Sequence, residues 1–188
     1  MKVNASQLRA GNVVERNGKL YVVLKAQNIQ PGKGAAVTQI DMRGMTDGIK
    51  TNERYRTTEQ VERVFIEFRE FQFLYREGDV CTFMDNETFD QVTMTEEQIG
   101  EQAQFLQEGM KVNISLYEGN PVSVELPQSV VLTVTETEPT TKGQTAASSY
   151  KPALLDNGVR VMVPPHIGTG TRVVVRIEDA TYIERAKN

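Results

Sequence analysis

The chain has 188 residues, of which 39% are hydrophobic and 24% are charged, a composition that excludes an intrinsically disordered protein. Its formal net charge of −4 argues weakly against a plain nucleic-acid binder. A single cysteine excludes an internal disulfide framework, and no window approaches the ~18 apolar residues of a membrane span, so we expect a cytoplasmic protein without membrane contact.

Charge is unevenly distributed along the chain. Residues 1–64 hold 11 Lys and Arg against 6 Asp and Glu, residues 65–127 hold 3 against 13, and residues 128–188 hold 7 against 6, which gives net charges of +5, −10 and +1. A basic first third can approach phosphates, whereas an acidic middle third is repelled by them. Alternatively, these charged segments form solvated faces that bind no partner. The large difference in net charge between the thirds favours a binding partner.

Strand patterns dominate the chain, and short turns rich in glycine separate them. Asn17-Gly18 lies between two β-rich runs and is the strongest short hairpin signal. The later turns are predicted at Glu77-Gly78-Asp79, Glu118-Gly119-Asn120, Asn157-Gly158 and Glu178-Asp179. Short strands at this spacing predict small β-barrels or sandwiches, and the charge breaks near Val64 and Pro127 divide them into three modules.

The segment QPGKGAA, residues 30–36, places Lys33 between two glycines in a predicted loop. A phosphate-binding P-loop needs a glycine at position 27 and Ser or Thr at position 34, and neither is present, so we reject a nucleotide triphosphatase. Pro31 stiffens the entry to the loop, while Gly32 and Gly34 permit unusual backbone angles and close approach to another surface. An ordinary hairpin with a solvated lysine is the simpler alternative. In the basic third, however, such a tip is well placed to reach a narrow site or to be modified.

Little in the sequence supports catalysis or a metal site. Cys81 lies in a strand-like run and is predicted to be a buried, inert thiol. His166 is the only histidine and is predicted to lie in an exposed turn, and one Cys and one His do not make a metal site. The paired carboxylates near a predicted turn are expected to be solvated: Asp85, Glu87 and Asp90.

One segment, residues 95–109, predicts a helix. Thr95 and Gln98 form a capping-box pattern at its start, and Gly109 is a suitable end. An apolar stripe at helical spacing is expected to pack into the core: Ile99, Ala103 and Leu106. A second segment, residues 135–150, is rich in Thr, Ser, Gly and Ala and predicts a long exposed loop.

Three segments resemble characteristic segments of the bacterial elongation factor P family. They are its lysine-bearing loop (QPGKGAA, 30–36), a second-domain segment (FMDNETFDQV, 83–92) and its third-domain signature (KPALLDNGVRVMVPPHIGTG, 151–170). Because they lie in three different thirds at the expected separations, the resemblance covers essentially the whole chain. It implies an all-β protein of three small barrels in an L-shaped, tRNA-like arrangement. Residues 1–64 would form an SH3-like KOW-type domain, and residues 65–127 and 128–188 two OB-folds.

The resemblance also implies a monomeric translation factor with no catalytic residues, metal or cofactor. Such a factor binds both ribosomal subunits beside the peptidyl-tRNA and relieves stalls at consecutive prolines. Lys33 would carry a modification such as β-lysylation, added by a lysine-modifying enzyme, and would reach toward the tRNA acceptor end. Pro31, Gly32 and Gly34 would shape its loop.

The third domain of the family carries a loop beginning Gly-Asp-Thr that approaches messenger RNA in the exit site. Gly143 and Thr145 fit this pattern, whereas Gln144 replaces the acidic residue. Tyr150 follows in place of a glycine-rich run and is suited to stack on a base. We therefore take these four residues as candidate contacts to mRNA or rRNA.

Two other functions stay open at this level. An OB-type protein that grips single-stranded RNA away from the ribosome is disfavoured by the acidic middle third. An enzyme with Lys33 as a nucleophilic amine ranks last, because an exposed, glycine-flanked tip offers neither desolvation nor a neighbouring cation to activate the amine.

Overall fold

A computed structural model describes residues 1–139 and 149–187, which divide into two compact units. One unit holds residues 1–69 and 114–124, and the other holds residues 70–113, 125–139 and 149–187. Most of the regular structure is strand, which confirms the predicted all-β class. No helix within these described residues is long and apolar enough to cross a membrane. The domain boundaries at 64 and 127 stay predictions.

Sixteen strands and one short α-helix make up most of the described regular structure. The strands of the first sheet are β1 (Lys2–Asn4), β2 (Val13–Arg16), β3 (Lys19–Ile29), β4 (Val37–Gly44), β5 (Lys50–Arg56) and β6 (Gln60–Val64). Next come β7 (Glu67–Glu77), β8 (Val80–Asp85), β9 (Gln91–Thr95), α1 (Glu96–Ile99), β10 (Lys111–Tyr117) and β11 (Asn120–Glu125). The chain continues with β12 (Ser129–Thr137), β13 (Lys151–Leu155), β14 (Arg160–Val163), β15 (Arg172–Arg176) and β16 (Thr181–Arg185).

The first sheet has six strands in the order β1-β6-β2-β3-β4-β5. The hairpin predicted at Asn17-Gly18 is confirmed, with φ values of 52° and 78° at the two turn residues. A two-residue turn of this kind needs positive φ at both positions, which explains why asparagine and glycine occupy them. The turn pairs Arg16 with Lys19 and so sets the register of β2 on β3.

An apolar core lies beneath this sheet and holds β3 and β4 together. Its buried members are Leu8, Val14, Val23, Ile40 and Met42, against which Val3, Tyr21, Ala26, Tyr55 and Val61 pack. Full burial of one such aliphatic side chain contributes roughly 1.5–3 kcal/mol. Because β3 supplies Val23 and β4 supplies Ile40 and Met42, the hairpin that these strands form is anchored along its length.

The other two sheets have five strands each. Their orders are β11-β10-β7-β8-β9 and β14-β13-β12-β15-β16. In the first of them Phe73 and Phe83 meet edge to face, with ring centroids 5.6 Å apart, and Cys81 is buried as predicted. In the second, Leu132 of β12 lies opposite Val173 of β15, and both side chains are buried.

The helix predicted over residues 95–109 is wrong in its length. Only α1, a single turn, is α-helical, and a 3₁₀ segment follows at Glu101–Phe105. Gly100 separates the two with φ +90° and ψ −165°, far from helical angles and accessible chiefly to glycine. The hydrophobic spacing therefore indicated correctly that this segment is compact and packs into the core. It did not indicate that the helix is interrupted at Gly100.

The start of this segment agrees with its prediction. The hydroxyl of Thr95 accepts a hydrogen bond from the backbone N–H of Gln98 at 3.2 Å, and the Gln98 side chain accepts one from the N–H of Thr95 at 2.9 Å. Ile99 and Ala103 are buried as predicted. Phe105 is also buried, whereas Leu106 is only half-buried, because the break in the helix turns the chain.

Two further expectations need correction. Asp85, predicted to be solvated, is buried, and its carboxylate accepts hydrogen bonds from backbone N–H groups of the following loop. The loop predicted over residues 135–150 begins too early, since β12 extends to Thr137. Residues 140–148 of that prediction lie outside the described residues. His166 is exposed in a turn, as predicted.

Candidate functional site

The candidate site is the loop that joins β3 to β4. The last strand pair is Ile29 opposite Val37, so residues 30–36 close the hairpin. Pro31 to Ala35 are all exposed, with Lys33 at the centre of a three-residue bend. In the described part of the chain, the Lys33 side chain has no hydrogen bond or ion pair, so its ammonium group is available to a partner.

The base of the hairpin is fixed, in contrast to its exposed tip. Thr38 is only 1% exposed, and its hydroxyl donates a hydrogen bond to the Asn28 side-chain oxygen at 2.7 Å. The Asn28 amide in turn donates to the backbone carbonyl of Ser6 at 3.4 Å. These bonds tie both stems of the loop to the start of the chain, so the tip extends from a rigid support.

The two glycines of the tip are not equivalent. Gly34 has φ +139°, which side-chain-bearing residues rarely adopt, whereas Gly32 lies outside the positive-φ region. A Cβ on Gly32 would meet no atom within 4 Å. The expectation that both glycines supply special backbone angles is therefore wrong for Gly32.

We expect Gly34→Ala to destabilise the protein by about 1–2 kcal/mol, because alanine must strain the backbone or shift the loop. Gly32→Ala is the matched control, and we expect it to change the free energy of unfolding by less than about 0.5 kcal/mol. Urea denaturation of the two full-length variants measures both values. Equal losses for the two variants would contradict the assignment of backbone strain to Gly34.

Basic side chains cover one face of the sheet next to this tip. Cross-strand pairs place Arg56 opposite Val37, Arg54 opposite Gln39, and Lys50 opposite Arg43. Lys25 of β3 lies opposite Asp41 of β4 on the same face. We call this surface the basic face; its five cations are exposed: Lys25, Arg43, Lys50, Arg54 and Arg56.

The strand alternation explains why this face is so strongly basic. Successive residues of a strand point to opposite sides. In β5, Glu53 therefore points to the opposite side of the sheet. There its carboxylate forms an ion pair with Arg16. The hydrogen bond to Glu53 raises the pKa of the Arg16 guanidinium above its ordinary value. Asp41 does lie on the basic face, where the Asn52 amide donates to its carboxylate. Several cations on one surface suit phosphate groups.

The candidate residues of the third domain are described only in part. Gly143, Gln144 and Thr145 lie outside the described residues. Tyr150 is 52% exposed, and its ring meets that of Tyr182 edge to face, with centroids 6.4 Å apart and planes at 85°. Burial, followed by the electrostatic influence of Tyr150, raises the pKa of the Tyr182 hydroxyl.

Tyr182 was missed by the sequence analysis. Tyr182 is the one aromatic residue in β16, and the sequence does not indicate that its ring contacts that of Tyr150, 32 positions earlier. Nearby, the buried Lys151 donates a hydrogen bond from Nζ to the backbone carbonyl of Glu138 at 2.6 Å. This bond links the ends of β12 and β13 on either side of the segment that carries Gly143 to Thr145. No cluster of metal-ligating side chains occurs in the described ranges.

Sequence-family comparisons match three domain models to the chain. The elongation factor P KOW-like domain matches residues 4–61, the OB domain matches 66–124, and the C-terminal domain matches 130–185. Elongation factor P from Methylobacterium nodulans is 63% identical, that from Methylobacterium sp. (strain 4-46) 62%, and that from Rhizobium meliloti 59%. Each alignment spans 188 residues and 100% of both chains.

Solved structures agree with the predicted barrel folds. Eukaryotic translation initiation factor 5A from Methanococcus jannaschii has a TM-score of 0.53 at 24% identity, over 68% of this chain and 92% of that chain. A translation initiation factor eif-5a family protein from Naegleria fowleri also has a TM-score of 0.53, at 17% identity, over 67% and 98% of the two chains. At these identities the likeness concerns the fold alone. Together with the domain matches, it supports the KOW-like and OB architecture.

Proposed function

Because the chain belongs to the elongation factor P family and is a translation elongation factor, we propose that it binds the ribosome beside the peptidyl-tRNA. There it stimulates peptide bond formation and relieves stalls at consecutive prolines. It acts as a monomer in the cytoplasm, contacts both ribosomal subunits, and has no catalytic residue of its own.

One observation carries this proposal: Lys33 is exposed at the tip of a hairpin whose base is fixed and whose neighbouring face is basic. The cations of the basic face can bind phosphates of the tRNA backbone and so orient the hairpin. A glycine-flanked tip is narrow enough to enter a confined RNA site. The ammonium group of Lys33 then reaches the acceptor end of the tRNA, where the reacting ester lies.

The chemical effect of Lys33 in this proposal is positioning. Proline reacts poorly because its ring restricts the backbone and its nitrogen is secondary. A cation beside the acceptor end holds the peptidyl-tRNA in a reactive geometry, and orientation alone can accelerate a reaction by large factors. No proton transfer through Lys33 is required, which fits a side chain that makes no hydrogen bond or ion pair within the described residues.

We propose further that Lys33 is covalently extended, for example by β-lysylation, by a lysine-modifying enzyme. The tip is suited to modification because Pro31 to Ala35 are exposed and an enzyme can surround the amine. Extension lengthens the reach of the arm and adds hydrogen-bond donors. Gly34 lets the loop take its bent form, and Pro31 limits the conformations of its entry.

In the third domain, Gly143, Gln144 and Thr145 approach messenger RNA in the exit site in this proposal. Tyr150 contributes an exposed ring, and Tyr182 supports that ring from the side. Aromatic rings stack on unpaired bases irrespective of sequence. This contact would help to hold the factor on a ribosome whose exit site contains a codon.

Translation of a reporter with a run of prolines, with and without the purified protein, tests the proposal. We expect full-length product to increase only for the proline-containing reporter, and a matched reporter with alanines to be unaffected. Equal effects on both reporters would contradict the proposed role. Tight, salt-dependent binding to free oligonucleotides without ribosome binding would favour an RNA-binding function away from the ribosome.

A further inference from the structure

A buried hydroxyl group lies beneath the hairpin that carries Lys33. The inward-facing side chains of β4 include Thr38, Ile40 and Met42, and none of these three is more than 1% exposed. A valine at position 38 has the same branched shape, so packing into the core does not require the hydroxyl. What distinguishes threonine from valine at this position is its hydrogen bond to the side-chain oxygen of Asn28, at 2.7 Å.

Asn28 lies directly opposite Thr38 in the β3–β4 register, next to the pair that closes the two strands. Asparagine is depleted in strands, and Asn28 is exposed, so neither strand formation nor burial explains its presence. Both ends of its amide are used, since the oxygen accepts from Thr38 and the nitrogen donates to the carbonyl of Ser6 at 3.4 Å. Asn28 therefore connects the hairpin to a second part of the unit.

That second part is the short 3₁₀ turn at Ala5–Gln7, to which Ser6 belongs. The backbone N–H of Ser6 donates to the carbonyl of Thr57 at 3.3 Å. Thr57 follows Arg56, which is the last residue of β5 and a member of the basic face. The Asn28 side chain thus joins the stem of the β3–β4 hairpin to the end of the strand that carries Arg56.

The length of the hairpin tip makes its direction important. The chain from Asn28 to Lys33 spans at most ~17 Å, so a tilt of about 10° at the base moves the tip by up to ~3 Å. A displacement of ~1 Å in a reacting group lowers a rate by on the order of a hundredfold. A bond that fixes the direction of the hairpin at its base therefore has a large effect on where the Lys33 ammonium group lies.

We propose that Thr38 and Asn28 are positioning residues for Lys33. Their hydrogen bond sets the direction in which the hairpin leaves the sheet, and so the place of the Lys33 ammonium group relative to RNA phosphates bound at the basic face. The proposal rests on the proposed function, because the reaction that it serves is peptide bond formation at prolines. Thr38 is buried and touches no RNA, so loss of its bond should lower the maximal rate and leave ribosome affinity nearly unchanged.

Three variants test the pair in single-turnover peptide bond formation between a peptidyl-tRNA ending in proline and a prolyl-tRNA. Thr38→Val removes the hydroxyl and keeps the shape, so we expect the rate at saturating protein to fall about tenfold, while affinity in ribosome cosedimentation stays within about twofold of the parent. Asn28→Ala should lower the rate by a similar factor, whereas Thr38→Ser keeps a hydroxyl and should restore most of the parent rate. Intact mass confirms that Lys33 carries the same modification in each preparation.

A stability control separates positioning from loss of folding. Val61→Ala truncates a side chain that packs against the same core from β6, which β2 separates from β3 in the sheet. We expect this variant to lower the urea midpoint at least as far as Thr38→Val does, and to keep the parent rate. A parent rate in Thr38→Val, no recovery in Thr38→Ser, or an equal loss in Val61→Ala would overturn this proposal alone. Failure of the parent protein to accelerate the proline pair would overturn the proposed function as well.

Discussion

Replacing Lys33 by alanine is expected to abolish the stimulation of proline-run translation while ribosome binding is largely retained. Lys33 is one cation among several in its unit, so its loss should change affinity only slightly. Its position at the tip is unique among the described cations of the β3–β4 hairpin, because the others lie on strands. If the arm orients the acceptor end, its removal should slow peptide bond formation at prolines on the order of tenfold to a hundredfold.

Two matched variants control this experiment. Lys19→Ala removes an exposed lysine of the same unit, at a distance from the tip, and should behave like the parent. Lys33→Arg keeps the positive charge but removes the primary amine, so it distinguishes charge from modification. Activity in Lys33→Arg would mean that a bare cation is sufficient, and inactivity would mean that the amine or its modification is needed. Full activity in Lys33→Ala would contradict the proposed role of the loop tip in peptide bond formation.

Neutralising the basic face is expected to weaken ribosome binding on the order of a hundredfold, at ~1 kcal/mol for each lost phosphate contact. The triple variant Lys50→Gln, Arg54→Gln and Arg56→Gln changes only exposed residues of the edge strand β5, so the apolar core is untouched. Each phosphate contact contributes about 0.7–0.9 to the slope of log affinity against log salt concentration. The magnitude of this negative slope should therefore decrease by about 2 to 3 in the triple variant.

A control with the same change in net charge is Lys2→Gln, Lys19→Gln and Arg160→Gln, which are exposed positions off the basic face. Binding titrations at several salt concentrations compare the two triple variants. We expect the control to keep nearly the parent slope. The same decrease in both variants would mean that net charge, and not this face, determines the affinity.

Local turn chemistry explains which parts of the fold were predictable from sequence. Asn17-Gly18 was predicted correctly because a two-residue hairpin turn requires positive φ, which these residues tolerate. The helix after Thr95 was predicted too long because its apolar spacing continues through Gly100, where the backbone leaves helical angles. Spacing alone does not reveal such a break.

The candidate site was predictable only at its tip. QPGKGAA indicated Lys33, but sequence could not distinguish Gly32 from Gly34, since only the backbone angles separate them. The basic face could not be predicted from the sequence because it depends on the register of β3, β4 and β5. That register brings Arg56 beside Val37 at the base of the loop. Burial of Asp85 was missed because its carboxylate accepts hydrogen bonds from the backbone N–H groups of Glu87 and Thr88, and the residue types alone do not show this local turn.

The most direct test of the central claim is the rate of single-turnover peptide bond formation on purified ribosomes with a peptidyl-tRNA ending in proline and a prolyl-tRNA as acceptor. We predict that the purified protein, with Lys33 in its native modification state, accelerates this step at saturating acceptor concentration and has little effect with phenylalanine in both positions. An unchanged rate for the proline pair, with the protein bound to the ribosome, would contradict the account.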